Sequence, residues 1–220
     1  MKSVKRVTSD LSRRAPDVAR ACWPAGLVLA AALCALPVFA QTSPAATQAF
    51  ENAKFHYNVS LPVGCRHDEG PGTLEAVCSP EFDAEKSATA SAAASMVLEV
   101  STEVVADDAG KPPADLAQRY GEAQFKEELP EAVCGESDKA RVKISNAKQV
   151  LEEARVVYTA DVGCPEIKFL GLGERQAIVQ VLITPGLRYR LMARALKEDF
   201  EQKKPAIDAF LTSFRVMPAK

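Results

Sequence analysis

The two histidines and their neighbours are the residues of this chain best suited to metal binding or proton transfer. His67 is followed by Asp68 and Glu69, and an imidazole with two carboxylates can bind a divalent metal or move a proton. Adjacent side chains in a turn rarely converge on one point, so we expect no metal site there. His56 falls on the polar side of a predicted strand and is interpreted as a surface residue.

No catalytic motif accompanies these histidines. The sequence contains neither the G-x-S-x-G pattern of a nucleophile elbow, nor H-E-x-x-H, nor a phosphate-binding loop. The segment Gly171-Leu172-Gly173 is too short for a cofactor loop and lacks the strand-glycine-helix setting. The sequence therefore predicts no catalytic residue, no cofactor and no metal.

The number and spacing of the cysteines predict two structural disulfides. After residue 40 there are four cysteines, and none lies in the C-x-x-C spacing of redox or zinc sites. The turn signal Gly70-Pro71-Gly72 lies midway between the first two, so a hairpin centred on it sets Cys65 opposite Cys78. We therefore predict the pairs Cys65–Cys78 and Cys134–Cys164, each stabilising the fold by about 3 to 4 kcal/mol in the chain-entropy picture.

Three arginines near the end of the chain are the best candidates for a binding surface. Alternation along a predicted strand sets Arg188, Arg190 and Arg194 on one side, opposite Tyr189 and Leu191. On an acidic protein such a row could dock an anionic ligand or partner. The alternative, which we favour, is that these arginines pair with acidic residues of neighbouring strands.

Residues 1–40 have the composition of a secretory signal peptide. Six basic and two acidic residues precede an uncharged segment, residues 23–40, whose apolar centre is shorter than the roughly 20 residues needed to cross a bilayer. Three alternatives fit less well. A permanent helix anchor would need a longer apolar run. A lipoprotein would need different residues around Cys34, and twin-arginine export would need different residues after Arg13-Arg14. We predict cleavage after Ala40, export to the periplasm or the medium, and no stable membrane anchor after cleavage.

The 180 residues after the predicted cleavage site suit one domain with a real core. They carry 21 basic and 27 acidic residues, a balance that argues against a nucleic-acid partner. We expect residues 41–53 to be a flexible N-terminus and residues 54–220 to be a single domain.

Hydrophobic periodicity predicts an α+β fold in which an antiparallel β-sheet has two main helices packed on one face. The structure type of residues 146–153 stays open, because Asn146 and Gln149 could also cap a helical turn. The predicted strands are 55–61, 74–78, 96–104, 141–145, 154–162, 177–184, 187–195 and 214–216, the predicted helices are 114–129 and one that begins at Pro205, and 84–94 is a predicted loop.

Two segments of the chain have a familiar pattern: F-H-Y-N-V-S-L-P-V-G, residues 55–64, and residues 189–216, which run through a strand and a helix to Ser213-Phe214-Arg215. Both resemble the PsbP-like fold superfamily, which includes the DcrB-type exported bacterial proteins. The resemblance implies a non-enzymatic accessory or assembly factor, because most members have that role, and it supplies no catalytic residues.

These observations lead to two functional hypotheses. The first is an exported, soluble, non-enzymatic binding or assembly accessory protein whose partner is an unknown protein or small ligand. The alternative is an enzyme, a hydrolase whose site is assembled from dispersed acidic residues. A pocket that gathers acids would favour the enzyme, whereas an arginine-lined groove would favour binding.

Overall fold

A computed structural model describes residues 46–78, 96–135, 139–167 and 173–218 of the 220-residue chain. The predicted signal peptide, its cleavage site and the predicted loop 84–94 lie outside these ranges. The described strands are β1 Thr47–Asn52, β2 Tyr57–Pro62, β3 Arg66–Gly70, β4 Thr73–Cys78, β5 Met96–Val104, β6 Lys143–Leu151, β7 Val156–Cys164, β8 Arg175–Thr184, β9 Leu187–Leu196 and β10 Arg215–Val216. The described helices are α1 Pro113–Arg119, α2 Glu122–Cys134 and α3 Phe200–Ser213.

The strands form two antiparallel sheets, which confirms the predicted α+β class. The main sheet has seven strands in the order β3-β4-β5-β9-β8-β7-β6, and the small sheet has three in the order β1-β2-β10. Most neighbours in the main sheet are consecutive in the chain, as expected for hairpin connections. The β5–β9 pair is the exception, and it joins the first half of the sheet to the second.

The β3–β4 hairpin has the predicted turn and disulfide. Gly70 pairs with Thr73 across Pro71-Gly72, and Gly72 has φ +84°, a conformation that favours glycine. The register places Cys65 opposite Cys78, and the two are bonded. Local turn chemistry was therefore sufficient to predict this pairing.

The main sheet is covered by helices on both faces, so the prediction of helices on one face is wrong. On β8, Val179 and Val181 belong to the core built with α1 and α2, whereas Leu182 belongs to the core built with α3 and the small sheet. Successive strand residues point to opposite faces, so α1 and α2 cover one face and α3 covers the other. Three successive residues of β8, Val181 to Ile183, are apolar and buried, which reflects this burial on both sides.

The predicted helix 114–129 is two helices. It breaks at Tyr120 and Gly121, where Gly121 has the extended conformation of a helix N-cap. The amide of Gln149 donates to the carbonyl oxygens of Ala117 and Tyr120 at 3.1 and 3.3 Å, which satisfies the end of α1. The second helix then continues through Pro130 to Cys134, where the predicted bond to Cys164 of β7 is present.

The last helix also differs from its prediction. It begins at Phe200, and Pro205 lies inside it rather than in its first turn. Phe200 is buried in the same core as Ile207 and Phe210, so burial of three apolar side chains outweighs the cost of a proline in the helix.

Two segments near the sheet edges also differ from expectation. The prediction of a flexible segment 41–53 is wrong for Thr47–Asn52, which pairs along its whole length with β2 and buries part of Phe50. Residues 146–153, left open above, lie largely in β6 and include a bulge at Asn146, whose φ is +52°.

None of the helices in the described ranges is both long enough and apolar enough to cross a lipid bilayer.

Candidate ligand-binding cleft

The arginines predicted as a docking row lie on one face of β9, and two of them are already paired. Arg188 contacts Glu103 at 2.6 Å and Glu128 at 3.3 Å, and Arg190 contacts Glu99 at 3.3 Å. These pairs connect β9 to β5 and to α2, and both arginines line a small cavity of about 160 Å³. The favoured alternative, pairing with acidic neighbours, is therefore observed for these two arginines, while the docking role stays a prediction.

Arg194 has a different environment. Among the residues that the structure describes, no carboxylate oxygen lies within 4.0 Å of its guanidinium. It is directly opposite Ala177 on β8, so Arg175, two residues earlier, lies diagonally beside it on the same face. Burial, together with the positive charge of Arg194, lowers the pKa of Arg175. No sequence motif marks Arg175, because only the pairing of β8 with β9 brings it beside Arg194.

The histidine cluster does not assemble. His67 contacts the Phe50 ring at 6.2 Å between centroids, whereas the carboxylate of Asp68 accepts a 3.0 Å hydrogen bond from the backbone N–H of Glu69. Alternation along β3 points His67 and Asp68 to opposite faces, and within the described ranges no three such ligands come together. His56 lies in the turn before β2 with φ +52°, so its assignment to a strand was wrong.

A buried acidic residue, Asp108, anchors the segment between β5 and α1. It is fully buried, and its carboxylate accepts hydrogen bonds from the Tyr120 hydroxyl at 2.7 Å, from Arg119 at 2.5 Å and from Lys111 at 3.3 Å. Desolvation opposes its ionisation, but these hydrogen bonds and the charges of Arg119 and Lys111 outweigh it, so the pKa of Asp108 is lowered. With three donors on a carboxylate that stays ionised, Asp108 has a structural role.

A second concave region lies at one end of the main sheet, where β6 and β8 begin and β7 and β9 end. Its volume is about 540 Å³, larger than the 160 Å³ cavity beside α2 and the 360 Å³ cavity beside α3. We call it the basic cleft. Its charged lining consists of Arg141, Lys143, Arg175, Lys197, Asp161 and Glu174.

The two carboxylates of the basic cleft are already engaged. Glu174 accepts a 2.6 Å hydrogen bond from Lys197, and this contact, with the charges of Lys197, Lys143 and Arg141, lowers the pKa of Glu174. Asp161 accepts a 2.6 Å hydrogen bond from the side-chain amide of Asn146 at the β6 bulge.

The residues of the basic cleft come from segments that are far apart in the sequence. Lys143 pairs with Gly163, and Gly163 pairs in turn with Gln176, so three strands meet side by side at the same end of the sheet. The spacing of the charges along the chain gives no hint of this meeting. Only the strand order, with β6 and β8 on either side of β7, brings them together.

Comparison with solved structures defines the fold as PsbP-like. The solution structure of cyanobacterial PsbP (CyanoP) from Synechocystis sp. PCC 6803 superimposes with a TM-score of 0.52 at 17% identity, covering 80% of this chain and 95% of that one. LpqN, described as involved in cell envelope biogenesis of Mycobacterium tuberculosis, gives a TM-score of 0.46 at 10% identity, covering 81% and 88%. PA94 of Pseudomonas aeruginosa, a protein of unknown function, gives 0.45 at 9% identity, covering 78% and 98%.

Only the first of these similarities is strong enough to define the fold, and at 17% identity it does not extend to function. No protein-family profile matches the sequence, and no curated protein matches it significantly. The resemblance drawn from residues 55–64 and 189–216 is thus confirmed at the level of the fold.

Proposed function

We propose that this chain is an exported binding or assembly accessory protein without catalytic chemistry of its own. The observation that carries the proposal is the basic cleft, which presents four cationic side chains and two engaged carboxylates on a chain whose formal net charge is -2. A concave site of this volume with a few convergent charged groups is typical of ligand recognition. The PsbP-like fold is consistent with an accessory role.

Export is part of the proposal. It is supported by the signal-peptide composition of residues 1–40 and by the two disulfides, which are typical of oxidising compartments. The test is N-terminal sequencing of the protein recovered from periplasm and medium. A chain that begins at Gln41 is expected, and a chain that keeps residues 1–40 in the cytoplasm would contradict export.

A hydrolase remains the second candidate, because Asp161 and Glu174 both line the basic cleft. A general acid needs a raised pKa to be protonated near neutral pH. The contact with Lys197 instead lowers the pKa of Glu174. Glu174 is therefore better suited to stay ionised and orient its neighbours. Binding is proposed ahead of hydrolysis because the pKa of Glu174 is lowered, whereas a general acid needs a raised pKa.

One experiment separates the two functions. The mature protein would be screened against a panel of ester, phosphoester, glycoside and peptide substrates, with the Asp161→Asn and Glu174→Gln variants measured beside it. We expect no turnover above background. Turnover that either single substitution abolishes would establish the enzyme and end the accessory proposal.

A further inference from the structure

A groove separate from the basic cleft lies between the end of α3 and the main sheet. It is the cavity of about 360 Å³ beside α3, and it shares no lining residue with the basic cleft. We call it the α3 groove. Its lining includes Arg155, Thr159, Ile178, Gln180, Leu211 and Arg215.

The strand residues of the α3 groove point to one face of the main sheet. Thr159 on β7 pairs directly with Gln180 on β8, and Ile178 and Leu182 lie two residues to either side of Gln180. Residues two apart on a strand share a face, and so do directly paired residues on neighbouring strands. Because Leu182 belongs to the core built with α3, all four side chains lie on the α3 side of the sheet.

Thr159 and Gln180 form a polar pair on the floor of the α3 groove. Both residues are half-buried, and within the described ranges neither side chain makes a hydrogen bond. A ligand that bonds to these groups would restore the hydrogen bonds that partial burial takes from water. The Gln180 amide offers two N–H donors and a carbonyl acceptor, which together match the acceptor and the donor of a peptide bond.

Arg215 brings a positive charge to the rim of the α3 groove. Its Nη1 donates to the backbone carbonyl oxygens of Thr212 at 2.5 Å and Phe214 at 2.7 Å, which fixes the guanidinium at the end of α3. Among the residues that the structure describes, no carboxylate oxygen lies within 4.0 Å of it, whereas Arg155 contacts Glu152 at 2.6 Å. The other N–H groups of Arg215 are therefore suited to bind the carboxylate of a ligand.

Ile178 and Leu211 give the α3 groove an apolar wall. Each is half-buried, so part of each side chain stays in contact with solvent. Covering apolar surface is worth about 25 cal/mol per Å². The wall therefore favours a ligand with an aliphatic group beside its polar groups.

We propose that the α3 groove binds a free peptide of two or three residues that ends in an aliphatic side chain. Thr159 and Gln180 bind the peptide amide, and Arg215 binds the terminal carboxylate. Ile178 and Leu211 contact the last side chain. A volume of about 360 Å³ suits a ligand of this size. The inference goes beyond the proposed function, because it adds a second site with its own ligand class.

The test uses three probes that differ in the groups they present. Acetyl-alanyl-leucine has all three groups, its C-terminal amide lacks the carboxylate, and 4-methylpentanoate lacks the peptide bonds. Isothermal titration of the mature protein at constant ionic strength is expected to give a dissociation constant below about 1 mM for acetyl-alanyl-leucine. The other two probes should bind at least about tenfold more weakly, because each loses hydrogen bonds to the groove.

Thr159→Val tests the location of the site without changing charge or size. It should weaken the binding of acetyl-alanyl-leucine about fivefold, the effect of losing one hydrogen bond. Thr102→Val is the matched control and should leave the affinity unchanged. Thr102 lies on β5 opposite Tyr189, so it shares the α3 side of the sheet, and its buried hydroxyl has no hydrogen-bond partner in the described ranges.

Arg215→Gln tests the recognition of the carboxylate. It should reduce the preference for acetyl-alanyl-leucine over its amide from about tenfold to about one, while the circular dichroism spectrum stays unchanged. Should this variant fail to fold, the two threonine variants and the amide probe still decide the question.

Three results would each overturn the inference: no saturable binding of acetyl-alanyl-leucine, equal affinity for the three probes, or equal affinity of the two threonine variants. These results would leave the proposed function standing, because the α3 groove and the basic cleft have no lining residue in common. The proposed function fails on a different result, turnover in the substrate panel that depends on Asp161 or Glu174.

Discussion

The hydroxyl of Tyr120 donates a 2.7 Å hydrogen bond to the buried carboxylate of Asp108. This contact joins the segment that follows β5 to the break between α1 and α2. Burial, the hydrogen bond and the negative charge of Asp108 together raise the pKa of Tyr120 to about 12. The hydrogen bond between these two residues therefore fixes the position of α1 and α2 on one face of the main sheet.

Removal of the Asp108 charge should destabilise the fold. Asp108→Asn keeps the size of the side chain but removes the anion that contacts Lys111 and Arg119, and Arg119 then keeps only a 4.0 Å contact with the exposed Asp107. We therefore expect a loss of about 2 to 3 kcal/mol in the free energy of unfolding. Asp107→Asn is the control, because the Asp107 side chain is 86% exposed and should contribute less than about 0.5 kcal/mol. Urea denaturation measures both, and equal effects would contradict the structural role of Asp108.

The same carboxylate should make stability depend on acid. Because the pKa of Asp108 in the folded protein is below its ordinary value of 3.8, its contribution is fully present above pH 3.8 and is lost as the pH falls through the folded-state pKa. The stability difference between wild type and Asp108→Asn should thus be constant from neutral pH to about pH 5 and shrink below 3.8. A difference that grows on acidification would show that the sign of the shift is wrong.

Loss of the hydroxyl should change the stability of the fold differently at two buried tyrosines. Tyr120→Phe removes a donor to Asp108 and should cost about 1 to 2 kcal/mol. Tyr158 is buried and stacks on Phe125 at 4.3 Å between centroids, and its hydroxyl has no hydrogen-bond partner in the described ranges. Tyr158→Phe keeps the stacking and should be neutral or slightly stabilising. Thermal unfolding of both variants is the measurement, and a larger loss from Tyr158→Phe would refute this assignment.

The two disulfides should contribute by restricting the unfolded chain. Their cysteines are 13 and 30 residues apart, so the chain-entropy relation gives about 3 kcal/mol for Cys65–Cys78 and slightly more for Cys134–Cys164. Peptide mapping without reduction should find these two pairs in the exported protein. Reduction should lower the unfolding midpoint while the far-ultraviolet spectrum keeps its strand signal. Crossed pairs or free thiols would contradict the register of the β3–β4 hairpin.

Features decided by neighbouring residues could be predicted from the sequence. The Gly70-Pro71-Gly72 turn fixes the register of its hairpin, and with it the Cys65–Cys78 bond, because every contributing residue lies within 14 positions. Alternation along β5 and β9 likewise identified the strands and the side of β9 that carries the arginines. Alternation predicts such features within a short stretch of sequence because the backbone fixes the two-residue period of a strand.

Features that depend on the packing of distant segments could not be predicted. The face of the sheet that α3 covers follows from the packing of Phe200, Ile207 and Phe210 against β9 and the small sheet, and no local pattern encodes contacts between such distant segments. In the sequence, Asp108 belongs to a polar segment that ends a predicted strand. Its burial follows from contacts with Arg119, the last residue of α1, and with Tyr120, the residue after it. The lining of the basic cleft was missed for the same reason.

The most direct test of the account is a titration of nitrogen-15-labelled mature protein with pyrophosphate and citrate, followed by amide chemical shifts. We expect saturable shifts concentrated on the backbone amides of Lys143, Gly163 and Gln176, which lie side by side on three strands at one end of the main sheet. The β3–β4 hairpin at the far edge of the sheet should stay unchanged. Absence of saturable shifts, or shifts centred on that hairpin, would contradict the claim that this protein is a binding protein whose ligand site is the basic cleft.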